Sequence, residues 1–222
     1  MLFDSKQKAL VLYCACISAG IVLSAGGVAR GDIIQIEITG QVTSVDDRAG
    51  ALAGKIKSGN TITGWYIYDS GTPDSNPLST EGDYEHNVEP FGITLNIGGF
   101  LFASNPQDTD FLITVTNDYS SKDSYQLSST NNLPLPSGVE VSQIWWQLND
   151  YTATALDNDA IPLGAPVLTD WQRNNLSITC GSNGTTRIGA TITDAWLVVP
   201  EPASALIITL GIALMASRRN RR

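Results

Sequence analysis

The sequence predicts an all-β protein, a single domain built as a two-sheet antiparallel β-sandwich of jelly-roll-like type, with an N-terminal signal helix and a short C-terminal transmembrane helix. Three observations lead there. Short runs of β-branched and aromatic residues recur about every ten residues between Arg30 and Val198, punctuated by Gly, Pro, Asn and Asp. No repeat of roughly 30 to 50 residues is visible, which excludes solenoids and propeller blades. Finally, an uncharged apolar stretch stands at each end of the 222-residue chain.

Ile34, Ile36 and Ile38 alternate with Gln35, Glu37 and Thr39, so three isoleucines share one face of a first strand. That strand runs through Val42 and Val45 to a turn at Asp46-Asp47-Arg48-Ala49-Gly50. Asn60 to Asp69 is dense in Thr, Ile, Trp and Tyr and forms a second strand. It stops at Ser70-Gly71-Thr72-Pro73-Asp74-Ser75-Asn76-Pro77, where two prolines and small polar residues permit only loop. Further strands are expected at 84–88, 92–97, 99–103, 110–117, 124–128, 139–148, 176–180 and 187–199. A helix between Trp146 and Leu156 stays open as an alternative, although its aspartates and β-branched residues disfavour it.

At the N-terminus, Lys6 and Lys8 precede an uncharged stretch from Ala9 to Ala29, the pattern of a secretory signal. Gly27 and Ala29 are small enough for cleavage after Ala29, with Ser24 and Gly26 as a second possibility; the first makes residues 1–29 the signal peptide and 30–198 the exported domain. An uncleaved anchor is the other reading, since the stretch is long enough to span. Cys14 and Cys16 lie within it, without the residues that a lipoprotein signal places before its cysteine.

The C-terminus, residues 199–222, has three parts. Val199-Pro200-Glu201-Pro202-Ala203-Ser204 opens with two prolines that hold the chain extended and end any preceding strand. Residues 203–217 then carry no charge and are apolar on every face. As a helix this run rises about 22 Å, against a hydrocarbon core of about 30 Å, so it is a short span that needs tilt or thinning. Arg218, Arg219, Arg221 and Arg222 follow; they can snorkel to the interface, and the positive-inside rule keeps them cytoplasmic.

In these residues the chain resembles the PEP-CTERM sorting signal, whose Val-Pro-Glu-Pro-x-Ser form is matched from Val199 to Ser204 and is followed in order by the short helix and the arginine-rich end. The resemblance covers about a tenth of the chain. It implies a bacterial protein exported across the inner membrane, held there transiently, and processed near Pro200-Glu201-Pro202 by an exosortase, a membrane cysteine peptidase. The implied destination is the cell surface or an extracellular matrix rich in exopolysaccharide. The exported region also resembles a recurrent domain of PEP-CTERM proteins, through Gly40 to Asp47, Gly59 to Asp69, Thr72 to Pro77, Gly82-Asp83-Tyr84 and Ile97 to Phe102. That group supports the sandwich and carries over no activity.

Charge narrows the partners. The chain carries −9. Lys6, Lys8 and the four terminal arginines supply six positives and Asp4 with Glu201 two negatives, so the remainder stands at −13. Such a surface repels nucleic acid and anionic membrane and accommodates cations or basic partners. Cys180 is the one cysteine of the exported region, so no intramolecular disulfide forms there; it reads as a small hydrophobe in a strand.

Few residues carry chemistry. A single histidine, His86, precludes a multi-histidine zinc site and reads as an exposed strand residue. No Gly-x-Ser-x-Gly elbow is present. Calcium is the one cofactor that the residues motivate: Asp46/Asp47, Asp108/Asp110 and above all Asp157/Asp159 offer loop carboxylates, but Asp157-Asn158-Asp159 lacks the glycine and distal glutamate of an EF-hand. Plain turn chemistry is the competing reading. Trp65, Tyr66, Tyr68, Trp145, Trp146, Trp171 and Trp196 are many aromatics for one domain. Alternation sends Trp65 and Tyr66, and likewise Trp145 and Trp146, to opposite faces, with Trp65 and Trp146 as the candidates for stacking on sugar rings. The expected function is that of an exported, noncatalytic surface or matrix protein associated with exopolysaccharide; the alternative is a secreted glycan-active enzyme using paired carboxylates.

Overall fold

Alternation governs the interior. In the computed structural model, which describes residues 31–181 and 184–199, ten strands form where polar and apolar residues take turns. They are β1 (Ile33–Asp47), β2 (Thr61–Asp69), β3 (Glu81–His86), β4 (Gly92–Ile97), β5 (Phe100–Ala103), β6 (Phe111–Thr116), β7 (Asp123–Ser129), β8 (Val141–Asp150), β9 (Arg173–Cys180) and β10 (Thr186–Leu197). A 3-10 turn, Leu168–Asp170, lies between β8 and β9. No described helix is long and apolar enough to cross a membrane. The expected signal segment 1–29 and the transmembrane segment 203–217 lie outside the described residues.

The all-β expectation is met, with a difference in how the strands join. Hydrogen bonding is continuous in the order β3-β6-β7-β8-β9-β10-β1-β2-β4-β5, every pair antiparallel, so the backbone makes one ten-stranded sheet. The sheet curls as a half-barrel. The pairing of β9 with β10 keeps the ladder intact where two separate sheets would break it. The open helix alternative at 146–156 is not taken: β8 runs to Asp150, whose carboxylate then collects the Thr152, Thr154 and Ala155 amides at 2.8, 2.6 and 3.0 Å and turns the chain.

The concave side is the core. Ile34, Ile36 and Ile38 of β1 meet Ile62, Tyr66 and Tyr68 of β2, and the opposite half contributes Ile113, Tyr125, Leu127, Trp146 and Leu148. The halves touch through aromatics: Trp146 is T-shaped against Tyr66 (centroids 6.0 Å) and Tyr125 (6.3 Å), and the Tyr125 hydroxyl donates to Tyr66 at 3.2 Å. Burial drives the phenol pKa values of Tyr66, Tyr68 and Tyr125 well above the ordinary range. Cys180 packs in β9 as expected, and burial pushes its thiol up to about 11.

Both sheet edges are pinned, which matters because a free edge recruits other strands. β5 is held to the segment after β7 by a bridge between Ser104 and Asn132, by the Leu133 amide on the Ala103 carbonyl (2.8 Å), and by hydroxyl contact of Ser104 with Ser129 (2.8 Å). At the other edge His86 of β3 reaches the end of β2. His86 was expected to be exposed and is instead buried, at 2 % exposure, because its ring packs among Tyr68, Phe91 and Phe111. The Asp69 amide donates to its Nε2 (3.1 Å), which assigns the other proton to Nδ1, facing the Tyr84 carbonyl at 3.0 Å. Burial lowers its pKa, so the ring is neutral.

Candidate functional site

The convex side of the half β10-β1-β2-β4-β5 carries the feature with the most chemistry. Directly paired residues of neighbouring strands point the same way, so the registers Trp196 to Glu37, Glu37 to Trp65 and Trp65 to Thr94 set four side chains in one row across β10, β1, β2 and β4. Trp65 is 38 % exposed and Trp196 43 %, with Glu37 half-buried between them. The strand that carries Trp65 is placed closely: at Gly64 any Cβ would run into the Thr94 carbonyl, so glycine permits the approach of β2 to β4.

The surroundings are polar. Thr39, Thr63 and Asn96 occupy the adjacent row, and the Thr39 hydroxyl donates to Asp194 at 3.2 Å. Beyond Trp65 the face drops into a cleft of about 260 Å³, walled by Trp65, Pro90, Phe91, Pro106 and Leu133, with Glu89, Thr94 and Ser104 as polar groups. Apolar walls with a few hydrogen-bonding groups are the usual make-up of a small-ligand pocket.

The expected stacking pair divides. Trp65 is on the surface, as its candidacy requires. Trp146 is not: it is 1 % exposed, and its indole N–H is occupied by Asn174 Oδ1 at 3.0 Å, so it is a core residue unable to meet a sugar. Its neighbour Trp145 faces the other way and is half-buried. The surface partner of Trp65 is Trp196, which no local pattern ties to it, since the two are brought together only through their shared neighbour Glu37.

Of the carboxylates considered for calcium, Asp47 binds a turn and Asp46, Asp108 and Asp110 bond neighbouring side chains. Asp47 accepts from the Ala51 amide (2.8 Å), the Leu52 amide (3.0 Å) and the Thr186 hydroxyl (2.8 Å), while Asp46 pairs with Arg48 at 2.6 Å. Asp108 and Asp110 hold Asn131 and Thr130. Asp157 is exposed, and the Asp159 carbonyl accepts the Tyr84 hydroxyl at 2.9 Å. Among the described residues no three His, Cys, Asp or Glu side chains are grouped to hold an ion. The sorting motif Pro200 to Ser204 and the basic anchor Arg218, Arg219, Arg221 and Arg222 lie outside the described residues; Val199 is exposed, just past the end of β10. No protein-family model, curated protein or solved structure significantly matches this chain.

Proposed function

We propose that this is an exported, noncatalytic bacterial surface or extracellular-matrix protein, handled at its C-terminus by an exosortase, whose β-domain associates with polysaccharide. The observation that carries the glycan part is Trp65, an exposed indole at the mouth of a cleft, with the hydroxyl, amide and carboxylate groups of Glu37, Thr39, Thr63, Thr94 and Asn96 around it. A large flat apolar ring beside hydrogen-bonding groups matches a pyranose, which has apolar C–H faces and a polar rim.

A binding role is favoured over hydrolysis by the composition of the cleft. Glu89 is the one carboxylate among its lining residues, whereas glycoside cleavage calls for two flanking the bond. His86, the residue most suited to proton transfer at neutral pH, is consumed in holding β3 to β2. The sorting part rests on the Val199 to Ser204 motif, the apolar run and the terminal arginines.

The experiment is twofold. The full chain in a polyoxyethylene detergent is expected to be retarded in gels containing soluble neutral polysaccharide, with no new reducing ends, and Trp65→Ala is expected to abolish the retardation. Release of reducing ends would overturn the noncatalytic reading. In the producing cell, replacing Pro200 and Glu201 together with alanine is expected to leave the chain unprocessed in the inner membrane; unchanged processing would remove the exosortase from the account.

A further inference from the structure

We infer that the row Trp196, Glu37, Trp65 and the cleft beyond it form one continuous subsite array for an extended, neutral polysaccharide strand that lies across the β-strands rather than along them. The inference rests on the glycan reading above and adds where the polymer lies, which way it runs and what charge it carries.

Direction follows from the register. Trp196 and Trp65 are separated by a single intervening strand, so their Cα atoms stand about 10 Å apart, the order of length of two linked pyranoses. A ring stacked on each indole leaves a middle stretch of the polymer over Glu37, whose carboxylate accepts hydrogen bonds from sugar hydroxyls. Continuing in the same direction past Thr94 leads into the cleft with Phe91 and Pro90. Along the strand direction no such continuation exists: from Trp65 the next outward positions of β2 are Thr63 on one side and Ile67 on the other. Exposed aromatics on this half-sheet thus recur across strands and not down them.

Charge selects the polymer. Glu37, Glu89 and Asp194 lie on or beside the path, and among the described residues no Lys or Arg occupies the row or the register positions next to it, which are Gln35, Thr39, Thr63, Ile67, Gly92, Asn96, Asp194 and Val198. A uronate or sulfate polymer would meet uncompensated like charge. A neutral sugar meets hydroxyl, amide and carboxylate groups that suit its own donors, together with two indoles that exclude water from its apolar faces. The Thr39 to Asp194 hydrogen bond orients that carboxylate before any ligand arrives.

The probes are neutral hexasaccharides of β-1,4-, β-1,3- and α-1,4-linked glucose, the matching disaccharides, and alginate hexasaccharide, titrated against the full chain in polyoxyethylene detergent and read by calorimetry and indole emission. At least one neutral hexasaccharide is expected to bind about tenfold or more tightly than its disaccharide, because only the longer ligand reaches both indoles. Trp196→Ala and Trp65→Ala are each expected to weaken the hexasaccharide about tenfold or more and to remove the length dependence, Glu37→Gln to weaken it severalfold, and Trp145→Ala to leave it unchanged. Loss with Trp65→Ala but not with Trp196→Ala or Glu37→Gln overturns the array and leaves the glycan reading standing. Tighter binding of alginate, or displacement of the hexasaccharide by tetramethylammonium at matched ionic strength, overturns the neutral-polymer assignment. Absence of binding across the whole panel overturns both readings.

Discussion

The two convex faces of the curled sheet are built on the same alternation and end up chemically unlike. On the half β3-β6-β7-β8-β9 the outward residues are mostly polar, among them Glu81, Asp83, Thr114, Gln126 and Gln147, with Leu112 and the half-buried Trp145 as apolar members, and Thr114 donates to Asp83 at 2.7 Å. On the half β10-β1-β2-β4-β5 two tryptophans stand in that position. An exposed indole costs solubility and contributes little to folding, so a face that keeps two in register and flanks them with carboxylates is organised for contact rather than stability. The same residue type turned inward, as at Trp146, is the keystone between the halves.

Four substitutions or conditions test that contrast, from the largest expected effect downward. Trp146→Ala removes the ring on which Tyr66 and Tyr125 pack and leaves a cavity; it is expected to cost about 3–5 kcal/mol in urea unfolding, and a cost below about 1 kcal/mol would mean that the halves are not held through this contact. Asp150→Ala strips the acceptor from three amides and the Thr152 and Thr154 hydroxyls, and is expected to lower the urea midpoint, second only to Trp146→Ala. The hydrogen bonds from Thr152 and the turn amides hold the Asp150 carboxyl well below the usual range, so its contribution is present at neutral pH and is lost as pH falls through and below the ordinary carboxylate value of about 4.

His86 gives a milder effect at higher pH. Its pKa is lowered in the fold, so the unfolded chain takes up a proton first as the medium is acidified. Stability is therefore expected to be level above about pH 7 and to decline as pH drops below the ordinary histidine value of about 6.5. His86→Gln should flatten that decline, and a pH profile identical to the parent would remove the histidine as the cause. The smallest effect belongs to the convex face: Trp65→Ala and Trp196→Ala are each expected to change unfolding free energy by less than about 1 kcal/mol while altering binding. A stability loss as large as that of Trp146→Ala would erase the distinction between the two kinds of tryptophan.

How far these features can be seen in the sequence depends on whether they are local. The positions of all ten strands are visible in it, because period-two alternation and Gly/Pro punctuation act within a few residues. The opposed faces of Trp65 and Tyr66, and of Trp145 and Trp146, follow from the same geometry; which member of each pair is inside does not, since that depends on which face the rest of the sheet covers. The join of β9 to β10, and with it one sheet in place of two, is a matter of ladder pairing that no single strand encodes. His86 is buried by Phe91, from the loop before β4, and by Phe111 of β6, and the Asp46/Asp47 turn draws on Thr186, far along the chain. The Trp196 to Trp65 relation is the extreme case, because it exists only through β1 lying between them.

β10 lies near the middle of the sheet, with β9 on one side and β1 on the other, and the chain leaves it beside Trp196. A pull applied at Val199 along the strand axis therefore shears the ladder to β1 along the length of β10 and, over Thr186 to Ala190, the ladder to β9 as well, so their hydrogen bonds share the load instead of opening one after another. The row Trp196, Glu37 and Trp65 begins at that same end of β10, so a load taken up at Trp196 would pass to Val199 through only a few residues. The remainder of the domain, including the pinned edges β3 and β5, stays outside that line of force.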